Sequence, residues 1–148
     1  MSTPTIRPWR PEDPVVDHIA SIYREFGLVF DPDFEDDLLD VAGHYRGGAF
    51  WVAEVDGKMV ATGGVAPNGP ARVIKRMYVA ASARRMGLAR TLLRQAAGFG
   101  KFARTELWSD VRFRSAHRLY MSEGFVPGPT RVLDDPDRSV ERYFSRAG

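Results

Sequence analysis

The stretch from Ala71 to Ala97 reads ARVIKRMYVAASARRMGLARTLLRQAA, and its hydrophobic period changes at Gly87. Upstream of Gly87, the β-branched and aromatic residues of positions 71–80 predict a strand. Downstream, leucines and alanines recur every three to four residues, which predicts a helix. A turn that feeds a helix leaves the first backbone N–H groups of that helix unpaired, so the stretch predicts an anion site.

The residue types in this turn suit a phosphate or pyrophosphate. Gly87 and Ala89 have little or no side chain, so a ligand can approach their backbone closely. Arg84, Arg85 and Arg90 add charge-assisted donors for further phosphate oxygens. The turn therefore predicts a site in which the main chain holds a diphosphate.

The pattern on either side of this stretch predicts a mixture of strands and helices. Upstream, an Asp56-Gly57 turn lies between two apolar runs and predicts a β-hairpin. Downstream, Gly124 follows a run with helical spacing and predicts the end of a helix. In chain order, the predicted elements are a strand at 5–9, helices at 15–26 and 30–40, strands at 49–55, 59–65 and 71–80, a helix from 88, a strand at 105–111, a helix at 113–123, and strands at 130–133 and 139–144.

Composition predicts a single domain that spans residues 1–148. This length fits one core, and 44% hydrophobic residues are enough to form it. The chain has no cysteine, which excludes disulfides, thiolate metal sites and a cysteine nucleophile. A reducing, cytoplasmic location is the simplest expectation.

Charge and hydropathy argue against two classes of partner. The 21 Lys and Arg residues are nearly matched by 19 acids, whereas a nucleic-acid binder usually has a more uneven balance. No apolar run approaches the roughly 18 residues of a membrane span, and the N-terminus lacks the pattern of a signal peptide. We therefore expect neither a nucleic acid nor a membrane as partner.

The turn and its flanks resemble the GNAT superfamily of acetyltransferases. The cofactor motif of that family is Gln or Arg, two residues, Gly, one residue, then Gly or Ala, and Arg84-Arg85-Met86-Gly87-Leu88-Ala89 matches it. Residues 74–79, IKRMYV, are similar to the family's fourth strand. Residues 119–125, LYMSEGF, are similar to its fourth helix, and the likeness extends from about Thr5 to Phe144.

The resemblance implies a fold class of α+β, in the three-layer arrangement of the family. It implies a mixed, mostly antiparallel sheet of six to seven strands, with about four helices on both faces. The fourth and fifth strands would be parallel and splayed apart, and a bulge in the fourth strand would help to open the gap.

The same resemblance implies acetyl-CoA as co-substrate and no metal. Backbone groups of Met77 and Val79 would pair with the pantetheine arm, and an N–H near Val79 would polarise the acetyl carbonyl. Main-chain N–H groups from Arg85 to Arg90 would hold the pyrophosphate. The implied cofactor-binding residues are Met77, Val79, Arg84, Arg85, Met86, Gly87, Leu88, Ala89 and Arg90.

Two positions depart from the family pattern. The fourth helix of the family often begins with an Asn six residues before its Leu, and Phe113 occupies that position here. The fourth strand lacks the acidic residue that some members use as general base, because its polar positions are Lys75 and Arg76. A catalytic carboxylate must therefore come from another element, or deprotonation must pass through water.

Acyl transfer to an amine requires a base path, an oxyanion donor and an acid. Tyr120 is the candidate general acid, because it resembles the family tyrosine near the sulfur; its alternative role is a core tyrosine with a bonded hydroxyl. Glu54 and Asp110 are the candidate bases, each also open to the interpretation of a solvated acid on a strand. His44 and His117 are assigned to a surface and a helix face.

The residues around the acceptor are less informative. The acidic segment from Asp31 to Asp40 could attract a cationic amine, but such runs usually form a solvated helix face, and we favour that interpretation. The aromatic residues that could line an apolar pocket are more often part of a core. They are Tyr45, Phe50, Trp51 and Trp108.

The leading functional hypothesis is an acetyl-CoA-dependent N-acetyltransferase for a small-molecule or peptide amine, acting as a monomer or homodimer. An acyl-CoA-binding sensor without catalysis is the alternative. A nucleotide binder could use the same helix terminus, but no Lys-Ser or Lys-Thr pair follows Gly87, so a P-loop is unsupported. A nucleic-acid role for the arginines is the least favoured, because a pyrophosphate would already account for most of their charge.

Overall fold

A computed structural model describes residues 3–148 and forms one seven-stranded sheet with helices packed against it. Short 3₁₀ turns occupy Pro32–Phe34 and Ala81–Ala83. The strands and helices are β1 (Thr5–Pro8), α1 (Val15–Glu25), α2 (Asp36–Leu39), α3 (Val41–His44), β2 (Ala49–Val55), β3 (Lys58–Asn68), β4 (Ala71–Val79), α4 (Leu88–Ala97), β5 (Arg104–Asp110), α5 (Arg114–Ser122), β6 (Val126–Val132) and β7 (Val140–Ala147).

The strand order is β1-β2-β3-β4-β5-β7-β6, and every neighbouring pair is antiparallel except β4 and β5. The parallel pair holds together only from Ala71–Val73 against Arg104–Glu106. Beyond those residues the two strands diverge. The expected mixed, mostly antiparallel sheet with a splayed parallel pair is therefore confirmed.

Arg72 stabilises the end of the sheet at which β4 and β5 are still paired. Its guanidinium is buried and donates to the carbonyl oxygen of Phe99 at 2.6 Å and to Oγ1 of Thr105 at 2.6 Å. A third bond reaches the carbonyl of Gly100 at 3.1 Å. One side chain on β4 thus binds β5 and the loop before it, at the point where the two strands begin to separate.

Two clusters of buried side chains account for much of the core. One joins α4 and α5 to the sheet through residues such as Leu93 and Phe144, and the other joins α1, α2 and α3 to β2 through residues such as Ile19 and Val52. Burial of these side chains is the main source of stability, at about 25 cal/mol for each Å² of apolar surface removed from water. No helix among residues 3–148 combines the length and apolar character needed to cross a membrane.

A bulge interrupts β4 at Arg76. Thr62 pairs with Tyr78 and Gly64 pairs with Lys75, so two residues of β4 oppose one residue of β3. Arg76 takes the left-handed conformation, with φ of 59°. Two side chains bond carbonyls at this irregularity: Thr62 Oγ1 donates to the carbonyl of Arg76 at 2.8 Å, and His18 Nε2 lies 3.1 Å from that of Tyr78.

Replacing Thr62 with valine should lower the free energy of unfolding by about 1–3 kcal/mol, because it leaves the Arg76 carbonyl unpaired in a buried place. The midpoint of urea unfolding measures this loss. A Thr62→Ser control keeps the hydroxyl and should lose less. Wild-type stability in the valine variant would show that the carbonyl has another donor.

The structure differs from the sequence prediction in residues 30–40. One helix was expected there, and the chain instead forms a 3₁₀ turn followed by two one-turn helices that meet at Asp40. Acidic side chains bond local amides: Asp31 Oδ1 accepts from the N–H of Asp33, and Asp40 Oδ1 accepts from that of Gly43. Such local bonds compete with helix continuation.

The strand β6 also begins earlier than expected, at Val126, and runs through Pro127 and Pro129. Proline cannot donate to a neighbouring strand, and an edge position removes that need. This strand is the last of the sheet and pairs only with β7 among the described strands.

Candidate active site

A cleft of about 1000 Å³ opens where β4 and β5 diverge. The bulged half of β4, the end of β5 and the first turns of α4 and α5 line it, together with part of α1 and the loop between β6 and β7. Every residue in the predicted cofactor set except Met86 lies along this cleft. These predicted residues therefore line one cavity, and their role in binding a cofactor stays a prediction.

The backbone at the start of α4 is free to bind a ligand. Gly87 caps the helix in the left-handed conformation, with φ of 74°, and a Cβ built there would meet no atom within 4 Å. Arg85 has a φ of 65°. Within residues 3–148, the first hydrogen bond donated by α4 comes from Thr91 to the carbonyl of Gly87, so the N–H groups of positions 85–90 have no protein acceptor.

Two of the three predicted phosphate-binding arginines have protein partners. Arg84 forms an ion pair with Glu25 at the end of α1, and its Nε donates to the carbonyl of Val79 at 3.0 Å. Arg90 pairs with Glu123 at 2.8 Å. Arg85 makes no ion pair with any residue from 3 to 148. The uncommitted donors of the turn are thus its amides and Arg85.

Tyr120 lies at the inner wall of the cleft and is almost completely buried. Its ring packs against Phe125 and Phe144 as part of the core. Burial raises the pKa of the Tyr120 hydroxyl above its ordinary value, although a hydrogen bond with Ser109 opposes the change. Tyr120 is therefore a core residue whose phenol keeps its proton beside the cleft, and its role as general acid stays a prediction.

The two predicted bases lie in different places. Asp110 is buried at the end of β5 and lines the cleft, where its Oδ1 accepts from the backbone N–H of Arg112 at 2.8 Å. Glu54 instead pairs with Arg7 at 3.3 Å on the β1 side of β2 and is not among the residues that line the cleft. The structure brings Asp110 to the site and does not bring Glu54.

Of the aromatic candidates for the acceptor pocket, only Trp108 lines the cleft, and Arg131 lies 4.0 Å above its ring. Tyr45 and Phe50 are buried in the core, and Trp51 packs against it. The prediction that these aromatic residues belong to a core is thus correct for three of the four, and Trp108 is the exception.

The sequence prediction missed a polar cluster beside the bulge of β4, on the side that faces α1 and α2. The bulge directs Arg76 toward the N-terminal end of α2, where its guanidinium forms ion pairs with Glu35 and with Asp37, the latter at 2.6 Å. Arg76 Nη1 also donates to the hydroxyl of Tyr23, and that hydroxyl donates to Oε1 of Glu35, both at 3.1 Å. The preferred interpretation of this acidic segment as a solvated face is therefore wrong for Glu35 and Asp37.

A signal for this cluster does exist in the sequence. Lys75 and Arg76 are adjacent polar residues in a predicted strand, and they break the alternation expected of a regular strand. Such a break indicates a bulge that redirects a side chain. It does not indicate which distant residues the side chain meets.

The two carboxylates of the cluster differ in pKa. Burial raises the pKa of Glu35 above its ordinary value, and the bonds from Arg76 and Tyr23 only partly offset this. Burial acts in the same direction on Asp37, but the hydrogen bond and charge of Arg76 outweigh it and hold the pKa of Asp37 below its usual range. A pair of acids with separated pKa values is a common arrangement in catalytic sites.

Solved structures of acetyltransferases share this fold. The structure is similar to a GNAT-family acetyltransferase from Staphylococcus aureus Mu50, with a TM-score of 0.85 and 23% identity over 98% of this chain and 99% of that one. An acetyltransferase from Streptococcus agalactiae 2603 gives a TM-score of 0.83 and 23% identity over 98% of both chains. A GNAT-family acetyltransferase from Elizabethkingia anophelis, solved with acetyl-CoA bound, gives 0.70 and 15% over 98% of both.

A search of curated proteins finds no significant match. A family model, in contrast, matches residues 46–127, which is more than half of the chain, and it describes the acetyltransferase (GNAT) domain. The matched part contains the bulged strand, the turn with free amides and the helix that carries Tyr120. The chain therefore belongs to the GNAT acetyltransferase family.

Proposed function

We propose that this protein transfers the acetyl group of acetyl-CoA directly to a primary amine in the cleft between β4 and β5. The observation that carries the proposal is the row of unpaired N–H groups at positions 85–90, which opens α4 at the edge of that cleft. A helix N-terminus with free amides binds phosphate oxygens well. The pyrophosphate of coenzyme A fits such a site, and the open space at Gly87 permits its close approach.

In this proposal the chain supplies binding, orientation and proton transfer. The amides of the turn and Arg85 hold the pyrophosphate, while the backbone of Met77 and Val79 aligns the pantetheine arm along β4. Acetyl-CoA supplies a thioester, which the amine attacks. Tyr120 gives a proton to the departing thiolate, because its buried phenol stays protonated at neutral pH.

A thiol-release assay tests this function. We expect free coenzyme A to accumulate when the protein meets acetyl-CoA and a suitable amine, taken from a polyamine, a lysine ester or a peptide with a free N-terminus. Tight binding of coenzyme A with no turnover on any amine would favour the acyl-CoA sensor. Calorimetry in which ATP binds as tightly as coenzyme A would favour a nucleotide binder.

Replacing Ala89 with proline should weaken coenzyme A binding by about 10- to 100-fold, because it removes one charge-assisted N–H donor from the anion site. Ala89 is the second residue of α4, so proline falls in the first turn, where helices tolerate it best. Calorimetric titration with coenzyme A measures the change.

The matched control is Val16→Pro, which makes the same change at the second residue of α1, away from the cleft. This variant should bind coenzyme A as the wild type does. Equal losses of affinity in both variants, or none in Ala89→Pro, would show that the amides of the turn do not hold the ligand.

A further inference from the structure

We infer that Glu35 is the general base of the transfer reaction and receives the acceptor's proton through the hydroxyl of Tyr23. This inference rests on the proposed function and names a proton path for it. Both residues line the cleft, on the α1 side of the diverging strands. Neither residue belongs to the part of the chain that carries the family motif.

The hydrogen bonds already orient such a relay. The Tyr23 hydroxyl donates its proton to Oε1 of Glu35 and accepts one from Arg76 Nη1. The Tyr78 hydroxyl is a further partner of this phenol, and an incoming ammonium group would replace it at the phenol oxygen. Phenol and carboxylate thus form a directed pair whose open end can accept a proton.

The charge of the cluster favours proton uptake. One guanidinium faces two carboxylates, so Arg76, Glu35 and Asp37 together carry one negative charge in a buried place. Asp37 has further partners in the hydroxyl of Tyr45 and the charge of Lys75. Glu35 is therefore the member of the cluster that takes up a proton most readily.

Tyr78 lies close both to this cluster and to Tyr120, the proposed general acid. Its ring meets that of Tyr23 edge to face at 6.0 Å, and it is close enough to Tyr120 to affect the pKa of that phenol. The charged group on β7 that acts on Tyr78 is Glu141, and His18 of α1 bonds the Tyr78 carbonyl. The base, the relay and the acid thus lie around one cleft.

The proton transfer from the acceptor ammonium to Glu35 requires no further reactant. One N–H bond of the acceptor ammonium breaks, and its proton moves to the Tyr23 oxygen as the phenol proton moves to Glu35. The products are a neutral amine with a free electron pair and a neutral carboxylic acid. The phenolate never forms, so the raised pKa of Tyr23, which burial causes, does not oppose the transfer.

Asp110, the other acid at the cleft, is less suited to this role. Its Oδ1 bonds the backbone N–H of Arg112, and the Arg112 side chain lies 3.8 Å from the same oxygen. That oxygen is committed to the turn before α5. Asp110 has no phenol placed to carry a proton to it in the manner of Tyr23 and Glu35, among the hydrogen bonds of residues 3–148.

The test compares Glu35→Gln and Tyr23→Phe with two matched controls. Glu35→Gln leaves Arg76 and Asp37 as a balanced pair, so the fold should persist. In both variants we expect kcat/KM with the best amine of the panel to fall about 100-fold, while affinity for coenzyme A stays unchanged. In the wild type, kcat/KM should fall at low pH as Glu35 becomes protonated and can no longer act as a base. This fall should be absent from the pH profile of Glu35→Gln.

The controls make the same chemical changes outside the relay. Glu54→Gln alters a carboxylate that pairs with Arg7, and Tyr143→Phe removes a hydroxyl that bonds Glu106 on β5, away from the cleft. Both variants should keep near-wild-type rates. Wild-type kcat/KM and an unchanged pH profile in Glu35→Gln would overturn the inference.

A second measurement separates this inference from the proposed function. The infrared C=O stretch of a protonated carboxyl group reports the protonation of Glu35 directly. It is assigned as the band that the wild type shows and Glu35→Gln lacks, and it is measured without any acceptor amine. We expect that signal to persist above the ordinary pH range for a glutamic acid. If no amine is turned over, the proposed function fails by itself; if the signal titrates in the ordinary range, the base assignment fails.

Discussion

Replacing Tyr120 with phenylalanine is expected to lower kcat by about 10² to 10³-fold, while affinity for coenzyme A stays near that of the wild type. The phenol is buried at the cleft wall, and its pKa is raised, so it stays protonated until alkaline pH. Loss of a positioned acid usually costs this much, because the thiolate must then leave without a proton. Steady-state kinetics and calorimetry measure the two quantities separately.

The matched control for this change is Tyr143→Phe. Tyr143 donates its hydroxyl proton to Glu106 on the neighbouring strand and is not among the residues that line the cleft. Its loss should leave kcat almost unchanged. Phenylalanine at position 120 with wild-type kcat would assign Tyr120 to the core alone.

Replacing Arg76 with methionine should lower the free energy of unfolding by about 3–5 kcal/mol, because it leaves Glu35 and Asp37 buried without their counterion. The side chain has similar length, so packing changes little. Urea unfolding at neutral pH measures the loss. It is the largest single-residue effect on stability that the polar contacts of this site predict.

The pH dependence of this variant has a definite sign. Without Arg76, the folded-state pKa values of both carboxyls should rise above their unfolded values, because burial then acts unopposed. Stability relative to the wild type is therefore best below the unfolded pKa and falls as pH rises. A variant that also carries Glu35→Gln and Asp37→Asn should recover much of the loss, and failure to recover would show that the bulge, not the charge, requires arginine.

Local pattern was enough to predict most of the elements. The Asp56-Gly57 turn, the helix after Gly87 and the end of α5 at Gly124 all follow from short-range backbone preferences. The unpaired amides before and within the first turn of α4 are predictable for the same reason, since they are a property of any helix start. Residues 30–40 failed as a helix because side chains of Asp31 and Asp40 bond amides two or three residues away.

The sequence by itself thus determined the order of the elements and the place of the unpaired amides that open α4, because both depend on neighbours in the chain. Only the tertiary structure decided which carboxylates face the cleft. Arg76 meets Asp37 across 39 positions, and Glu54 turns to Arg7 across 47, through strand register and one bulge. A one-residue change of register moves a side chain to the opposite face of a sheet, and composition or spacing does not encode that choice.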